Sequence, residues 1–205
     1  MLGIVGEFIV GAGTLFLILA VAVAALVVLI YNRLITLRNR FLNSFSQIEV
    51  QLQRRYELIP NLVETARAYM KHEADTLTTV TQARNAAHQR CAEVSDTPGD
   101  AGAIGALAVA EGTLDSAIGR FNMVMENYPD LKADQQMIAL HEELASTENR
   151  ISFARQAYSD SVMVYNIARE QFPALLIAIA FSFKEADLFE VVEPTAHEKL
   201  NVSFA

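Results

Sequence analysis

The chain has 205 residues, a formal net charge of −8, a single cysteine and no tryptophan. One cysteine excludes an internal disulfide and a cysteine-built zinc centre, and the missing tryptophan argues against an aromatic ligand cage. The acidic balance excludes general affinity for nucleic acid, whose phosphates most of the surface would repel.

The first element is an apolar run from Phe8 to Ile30 with no charge and no proline. At about 1.5 Å per residue it is roughly 34 Å long, enough to cross a hydrocarbon core of about 30 Å, and a lone span in lipid must be helical to satisfy its own backbone. A cleaved signal peptide would begin with positive charge and carry an apolar core of about 7–15 residues. Here the only charge before the run is Glu7, and Ala22, Ala24 and Ala25 are followed by more hydrophobics, so a retained anchor is expected. No Lys or Arg precedes the run, and Arg33, Arg38 and Arg40 follow it. The positive-inside rule then predicts a single-pass protein of the inner (cytoplasmic) membrane, with its N-terminus outside and its main domain in the cytoplasm. The lipid bilayer is its first partner. The three arginines suit anionic headgroups beside the membrane, and they equally suit a purely topological and solvating role.

After the anchor the pattern is helical almost throughout, with apolar residues three and four apart over about 32–57, 60–94, 101–128 and 131–171. Leu34, Leu37, Phe41, Phe45, Ile48 and Leu52 share the first face; Ile59, Leu62, Ala66, Met70, Leu77, Val80 and Ala87 the second. Ile104, Leu107, Leu114, Ile118, Phe121, Met125 and Tyr128 share the third. The fourth is a heptad seam of coiled-coil type: Met137, Leu140, Leu144, Thr147, Ile151, Ala154, Tyr158, Ser161, Tyr165, Ala168 and Phe172. No stretch alternates with period two, so the fold class is all-α.

The breaks have mechanisms. Ser95 to Asp100 is a turn cluster that offers Asp100 as a helix cap; Asn127-Tyr128-Pro129-Asp130 ends the third helix and offers Asp130; Phe172-Pro173 ends the fourth. Pro60 has two readings. As a first-turn proline it starts a new helix after a reversal. Alternatively it kinks one long helix, since the apolar register of Ile48, Leu52, Arg55, Ile59, Leu62 and Ala66 runs straight across it. The reversal is preferred because a bundle needs antiparallel neighbours. It gives an N-terminal transmembrane helix followed by an antiparallel four-helix bundle; the kink gives a three-helix bundle with one long arm. The expected division is residues 1–31 as the anchor with its short external N-terminus, 32–183 as the bundle domain and 184–205 as an acidic tail, whose Val202 and Phe204 offer apolar docking points.

Residues 174–183, ALLIAIAFSF, are apolar all round and too short to span. Two uses stand open. Leu175, Leu176, Ile177, Ile179, Phe181 and Phe183 contact lipid or a neighbouring subunit, or the block folds back to close the bundle core.

Catalytic and metal signatures are missing. There is no H-E-x-x-H, no Glu three residues before any of His72, His88, His141 or His197, no phosphate-binding glycine loop and no G-x-S-x-G. No cofactor and no metal are expected. Lys71, His72 and Glu73 form a polar run on the second predicted helix, read either as a partner-binding patch or, preferably, as a solvated face. His141-Glu142-Glu143 is read the same way. Arg54-Arg55 is assigned to the C-terminal dipole of the first helix. Arg155 is expected beside the seam of the fourth helix with no assigned partner, and Cys91 as an ordinary half-buried thiol.

The residues from Tyr31 to Arg84 resemble the LemA family of bacterial membrane proteins. The resemblance rests on Tyr31-Asn32, Leu37-Arg38-Asn39, Ser46-Gln47-Ile48, Val50-Gln51-Leu52, Arg54-Arg55-Tyr56, Leu58-Ile59-Pro60-Asn61-Leu62-Val63 and Lys71-His72-Glu73. Glu148-Asn149-Arg150-Ile151, Phe153-Ala154-Arg155-Gln156, Tyr158, Tyr165-Asn166, Phe172-Pro173 and Phe181-x-Phe183-Lys184 extend it. The stretch 101–113 and the tail beyond Asp187 match least. The resemblance implies one N-terminal span and a cytoplasmic four-helix bundle, and it implies no reaction.

Two functions follow as expectations. The first is a non-enzymatic scaffold, a homo-oligomer that organises membrane or envelope proteins. The second is a sensory or adaptor module binding an envelope protein through Lys71, His72, Glu73 and the acidic tail. An enzyme would need a cavity lined by two or more titratable side chains.

Overall fold

The computed structural model describes residues 2–96 and 99–189, and among them every regular element is helical. The order is α1 (Leu2–Arg67), α2 (Ala74–Asp96), α3 (Ala101–Met125), the single turn α4 (Pro129–Lys132), α5 (Gln135–Glu170) and α6 (Ala174–Ala180). The expected docking points Val202 and Phe204 lie outside the described residues, as does the Thr97-Pro98 centre of the predicted turn.

From Gly13 onward α1 is long and apolar enough to cross a bilayer: its best 18-residue window has a mean hydropathy of 3.0 and none of it is buried by the protein. Leu15 through Leu19 each expose more than 60 % of their surface. Each exposed leucine or isoleucine in water forgoes about 1.5–3 kcal/mol of burial, so this surface fits hydrocarbon.

The preferred reversal at Pro60 does not occur. Pro60 lies inside α1, which continues to Arg67, and the chain turns at 68–73. The physical reason is local. A helical proline has no N–H for the carbonyl four residues earlier, a defect that with its steric clash costs about 3 kcal/mol. That carbonyl, Tyr56 O, accepts a hydrogen bond from Arg84 Nε at 2.9 Å instead. Pro60 itself faces solvent, while Ile48, Leu52, Arg55, Ile59, Leu62 and Ala66 are all buried. The unbroken apolar register was thus the better guide than the proline.

The chain divides into two compact units. The larger comprises 41–162 with 186–189. In it α2 runs back along α1: Ser95 Oγ donates to Glu49 Oε1 at 2.6 Å, and the ring of His88 meets Tyr56 edge-on at 5.5 Å. α5 likewise opposes α1, with Arg54 Nε 3.0 Å from Glu143 Oε1, Phe45 against Tyr158 at 5.8 Å, and the hydroxyls of Ser44 and Ser161 3.1 Å apart. The core is apolar and fully dry at Ile48, Leu52, Leu62, Val80, Leu107, Leu114, Phe121 and Ile151. The seam on α5 is real, with Met137, Leu140, Thr147, Ile151, Tyr158 and Ser161 buried and Leu144 and Ala154 half-buried.

Caps explain the ends. Asp100 caps α3 by accepting from Ala103 N at 2.9 Å. Asp130 does not cap the last long helix; it lies within α4, and Asp134 does the work by accepting from Met137 N at 3.0 Å. That bond, with the Tyr69 hydroxyl, holds the Asp134 carboxyl below its ordinary range. Gly99 takes φ 87°, a left-handed turn with its open side against Phe41 and Leu42.

The smaller unit comprises 2–40 with 163–185. Leu34, Tyr165 and Ala168 are buried in it, and the Tyr165 hydroxyl donates to Lys184 O at 2.7 Å. Phe172, assigned to the seam, is instead 82 % exposed, because α5 ends at Glu170 and the chain bends by 96° into α6. α6 is closed by a paired-bond cap: Ser182 N donates to Ile179 O at 3.3 Å and Phe183 N to Ala178 O at 2.9 Å, with Ser182 at φ 57°.

Candidate functional site

Two places hold chemistry beyond core packing. The first is in the smaller unit. Tyr31, just past the apolar run of α1, meets the rings of Phe181 and Phe183 edge-on at 5.0 and 5.6 Å. This brings α6 to the end of the apolar segment. The six apolar residues of the block divide in two: Ile177 and Phe183 are buried, while Leu175, Leu176, Ile179 and Phe181 are exposed, Ile179 by 69 %. The block thus has a buried side and an exposed side, with Phe181 and Phe183 just beyond the end of α6. Arg33, Arg38 and Arg40 lie on the same stretch of α1, all exposed.

The second place is in the larger unit and was missed from the sequence. Glu111 on α3 is completely buried, as is nearly all of Arg55 on α1. Arg55 Nη1 lies 3.1 Å from Glu111 Oε2 and 3.3 Å from Glu148 Oε2, and its Nη2 pairs with Asp115. The Tyr56 hydroxyl donates to Glu111 Oε1 at 2.5 Å, and Arg155 Nη2 stands 3.6 Å from Glu111 Oε2. Arg155 also lies over the Phe189 ring, 4.8 Å from its centre. Two guanidiniums thus face three carboxylates. Burial pushes the Glu111 carboxyl above its ordinary value, and the Arg55 charge opposes that push. The Tyr56 phenol is driven up by burial and by the neighbouring Glu111.

The cluster follows from helical spacing. Glu111 and Asp115 are four apart on α3, and Glu148 and Arg155 seven apart on α5, so each pair shares a face. Arg54 and Arg55 do not sit at a helix end, since α1 runs on; Arg54 turns outward to Glu143 while Arg55 turns in. The available signal was a lone Glu inside the alanine- and glycine-rich run AGAIGALAVAEG, since an acid amid small apolar residues is buried only with a partner.

Beside the cluster is a cavity of about 420 Å³ lined by Arg55, Asp115, Asn122, His141, Leu144 and Glu148, among others. This meets the condition set for an enzyme, several titratable groups on one cavity, although serine, threonine and cysteine are not among its lining residues. His141 is not on a solvated face: it is half-buried and stacked with Phe121 at 6.5 Å. Burial lowers its pKa.

Lys71, His72 and Glu73 are not on a helix. They form the turn between α1 and α2, with Lys71 and His72 exposed and Glu73 accepting from the Tyr128 hydroxyl at 3.2 Å. Cys91 is buried outright, and its thiol is pushed up to about 12 by burial, then by Glu49 and Glu111.

Comparison with known proteins places these features in a family. The sequence model of the LemA family matches residues 44–204. Magnetosome protein MamQ of Magnetospirillum gryphiswaldense is 28% identical over 200 residues, covering 87% of this chain and 74% of the relative. Magnetosome proteins MamQ 1 and MamQ 2 of Paramagnetospirillum magneticum are each 28% identical over 185 residues, covering 83% of this chain and 68% of the relative. With an apolar helix fit to span a bilayer and a family match over most of its length, the chain is a membrane-anchored protein and belongs to the LemA family.

Proposed function

We propose that this protein is a non-enzymatic scaffold of the inner membrane. Its antiparallel four-helix bundle, which we read as the part of α1 beyond the anchor with α2, α3 and α5, lies in the cytoplasm, self-associates and organises other membrane or envelope proteins. The observation that carries the reading is the α6 block: an apolar surface held at the end of the anchor by Tyr31, with Leu176, Ile179 and Phe181 outward. Such a surface suits lipid or a second copy and has no use in a freely soluble domain. Relatives named magnetosome proteins support a setting in membrane organisation.

The test is the mass of the full chain in detergent by light scattering. A defined oligomer is expected, and Leu176→Ser with Ile179→Ser should lower its order without unfolding the chain. A strictly monomeric particle removes the scaffold reading. The adaptor reading would rest on the exposed Lys71 and His72 of the α1–α2 turn, and a pull-down that fails when both are replaced by alanine would favour it.

A further inference from the structure

The cavity beside the buried ion cluster is unexplained by anchoring or assembly. Its volume, about 420 Å³, falls in the range of about 300–1,000 Å³ common to small-molecule sites. Leu144, Ile118 and Ala145 give it an apolar wall. Two further lining residues, Asn122 and His141, each carry a polar atom sealed from solvent, Asn122 Oδ1 and His141 Nε2, with no hydrogen-bond partner among the described residues. Buried polar atoms are nearly always paired, and each left bare costs about 1–3 kcal/mol, so a ligand donor in the cavity is favoured when a small turn of either side chain brings its bare atom to the cavity surface.

The charges select its chemistry. Arg55, the only cation lining the cavity among the described residues, is already shared by Glu111, Asp115 and Glu148. An anion entering here would find that cation engaged and two carboxylates, Asp115 and Glu148, in its way. A neutral apolar ligand would leave Asn122 and His141 bare. A ligand with N–H donors and positive charge satisfies Asn122 Oδ1, satisfies His141 Nε2 in the tautomer protonated at Nδ1, and offsets the carboxylate excess. An inorganic cation fits less well, since no group of three or more His, Cys, Asp or Glu side chains converges for a metal among the described residues.

We infer that this cavity is a binding site for a small organic ammonium compound, its charged nitrogen directed at Asn122, His141 and Glu148 and its hydrocarbon part against Leu144 and Ile118. The site offers acceptors and no hydroxyl or thiol nucleophile, which is an arrangement for holding a ligand. Because the carboxylates reach α3 and α5 and Arg55 belongs to α1, occupancy ties three helices to one ligand.

The experiment uses the full chain in detergent micelles with 2-phenylethylammonium as the probe, and 3-phenylpropionate and 2-phenylethanol as controls at equal ionic strength. Titration calorimetry and thermal unfolding are read together. Saturable binding of the ammonium, at least tenfold tighter than either control, is expected. Glu148→Gln and Asn122→Leu should each weaken it tenfold or more, and Glu57→Gln, an exposed carboxylate away from the cavity, should not. Glu148 is half-exposed, so its variant folds even if the Asn122 variant does not. Equal response to the three probes, a response that does not saturate, or binding unchanged in Glu148→Gln overturns the assignment.

Discussion

Arg55→Met is the most informative perturbation. In the native chain Arg55 is buried to within 4 % and faces Glu111, which has no exposure at all. Removing the guanidinium leaves Glu111 with only the Tyr56 hydroxyl at 2.5 Å and Arg155 at 3.6 Å. Breaking a buried pair on one side costs about 3–5 kcal/mol, because the remaining charge stays desolvated. With two partners still present, the lower end applies, about 3 kcal/mol. For a chain of this size each kcal/mol moves the midpoint by about 2–4 °C, so a fall of about 6–12 °C is expected. The pH dependence has a definite sign. Burial already raises the Glu111 pKa, and Arg55 is the largest influence holding it down. Without Arg55 it rises further, so the folded variant takes up a proton above the unfolded carboxyl range. Its deficit relative to the native chain should be widest near pH 8 and shrink as pH falls through the raised folded pKa. Adding Glu111→Gln removes the stranded charge, keeps an acceptor for Tyr56, and should restore at least about half of the loss. Thermal unfolding of detergent-solubilised protein, followed by far-UV circular dichroism across pH 5–8, measures all of this. A single variant within about 0.5 kcal/mol of native, or a double variant no better than the single, would refute the claim that a desolvated ion pair organises this core.

Four further outcomes are expected. Arg84→Met should cost about 1–2 kcal/mol by stranding Tyr56 O, and the cost should shrink in a Pro60→Ala background, where the helix supplies its own N–H; equal costs in both backgrounds would show that the Arg84 bond is not the compensation. Because the chain has no tryptophan, Ile179→Trp is a clean reporter: in bilayers its emission should be blue-shifted and quenched by brominated lipid, whereas water-like, unquenched emission would place α6 away from lipid and partners. His141 has a lowered folded pKa, so its contribution is full above the unfolded value near 6.5 and is lost as pH falls below it; His141→Gln should flatten the loss of unfolding midpoint between pH 7 and 5.5, and an unchanged slope would count against the burial argument. Cys91 should react with a membrane-impermeant thiol reagent at least about tenfold faster after denaturation than before, since its native thiol is buried and pushed up to about 12; an exposed Lys71→Cys on a Cys91→Ala background is then the proper topology probe in intact cells.

Linear patterns revealed the elements whose cause is linear. A 23-residue apolar run has to be a helix because lipid offers its backbone no partners, and the three-and-four spacing of Met137, Leu140, Thr147, Ile151, Tyr158 and Ser161 has to face a core because water would otherwise meet the whole stripe. Asp100 as a cap was legible for the same reason: its partner is three residues away. The Glu111 cluster was not, because its members are 55, 56, 60 and 44 positions from one another along the chain and acquire meaning only when α1, α3 and α5 are laid side by side. Pro60 went astray for a related reason. The proline is local, but the donor that makes it tolerable, Arg84, comes from the next helix. Composition and period therefore settled that the chain is helical and anchored. Which polar side chains are sealed in, where the chain turns back, and which apolar residues of the last short helix stay outside were settled by packing, since desolvation and hydrogen-bond satisfaction depend on neighbours that sequence order does not bring together.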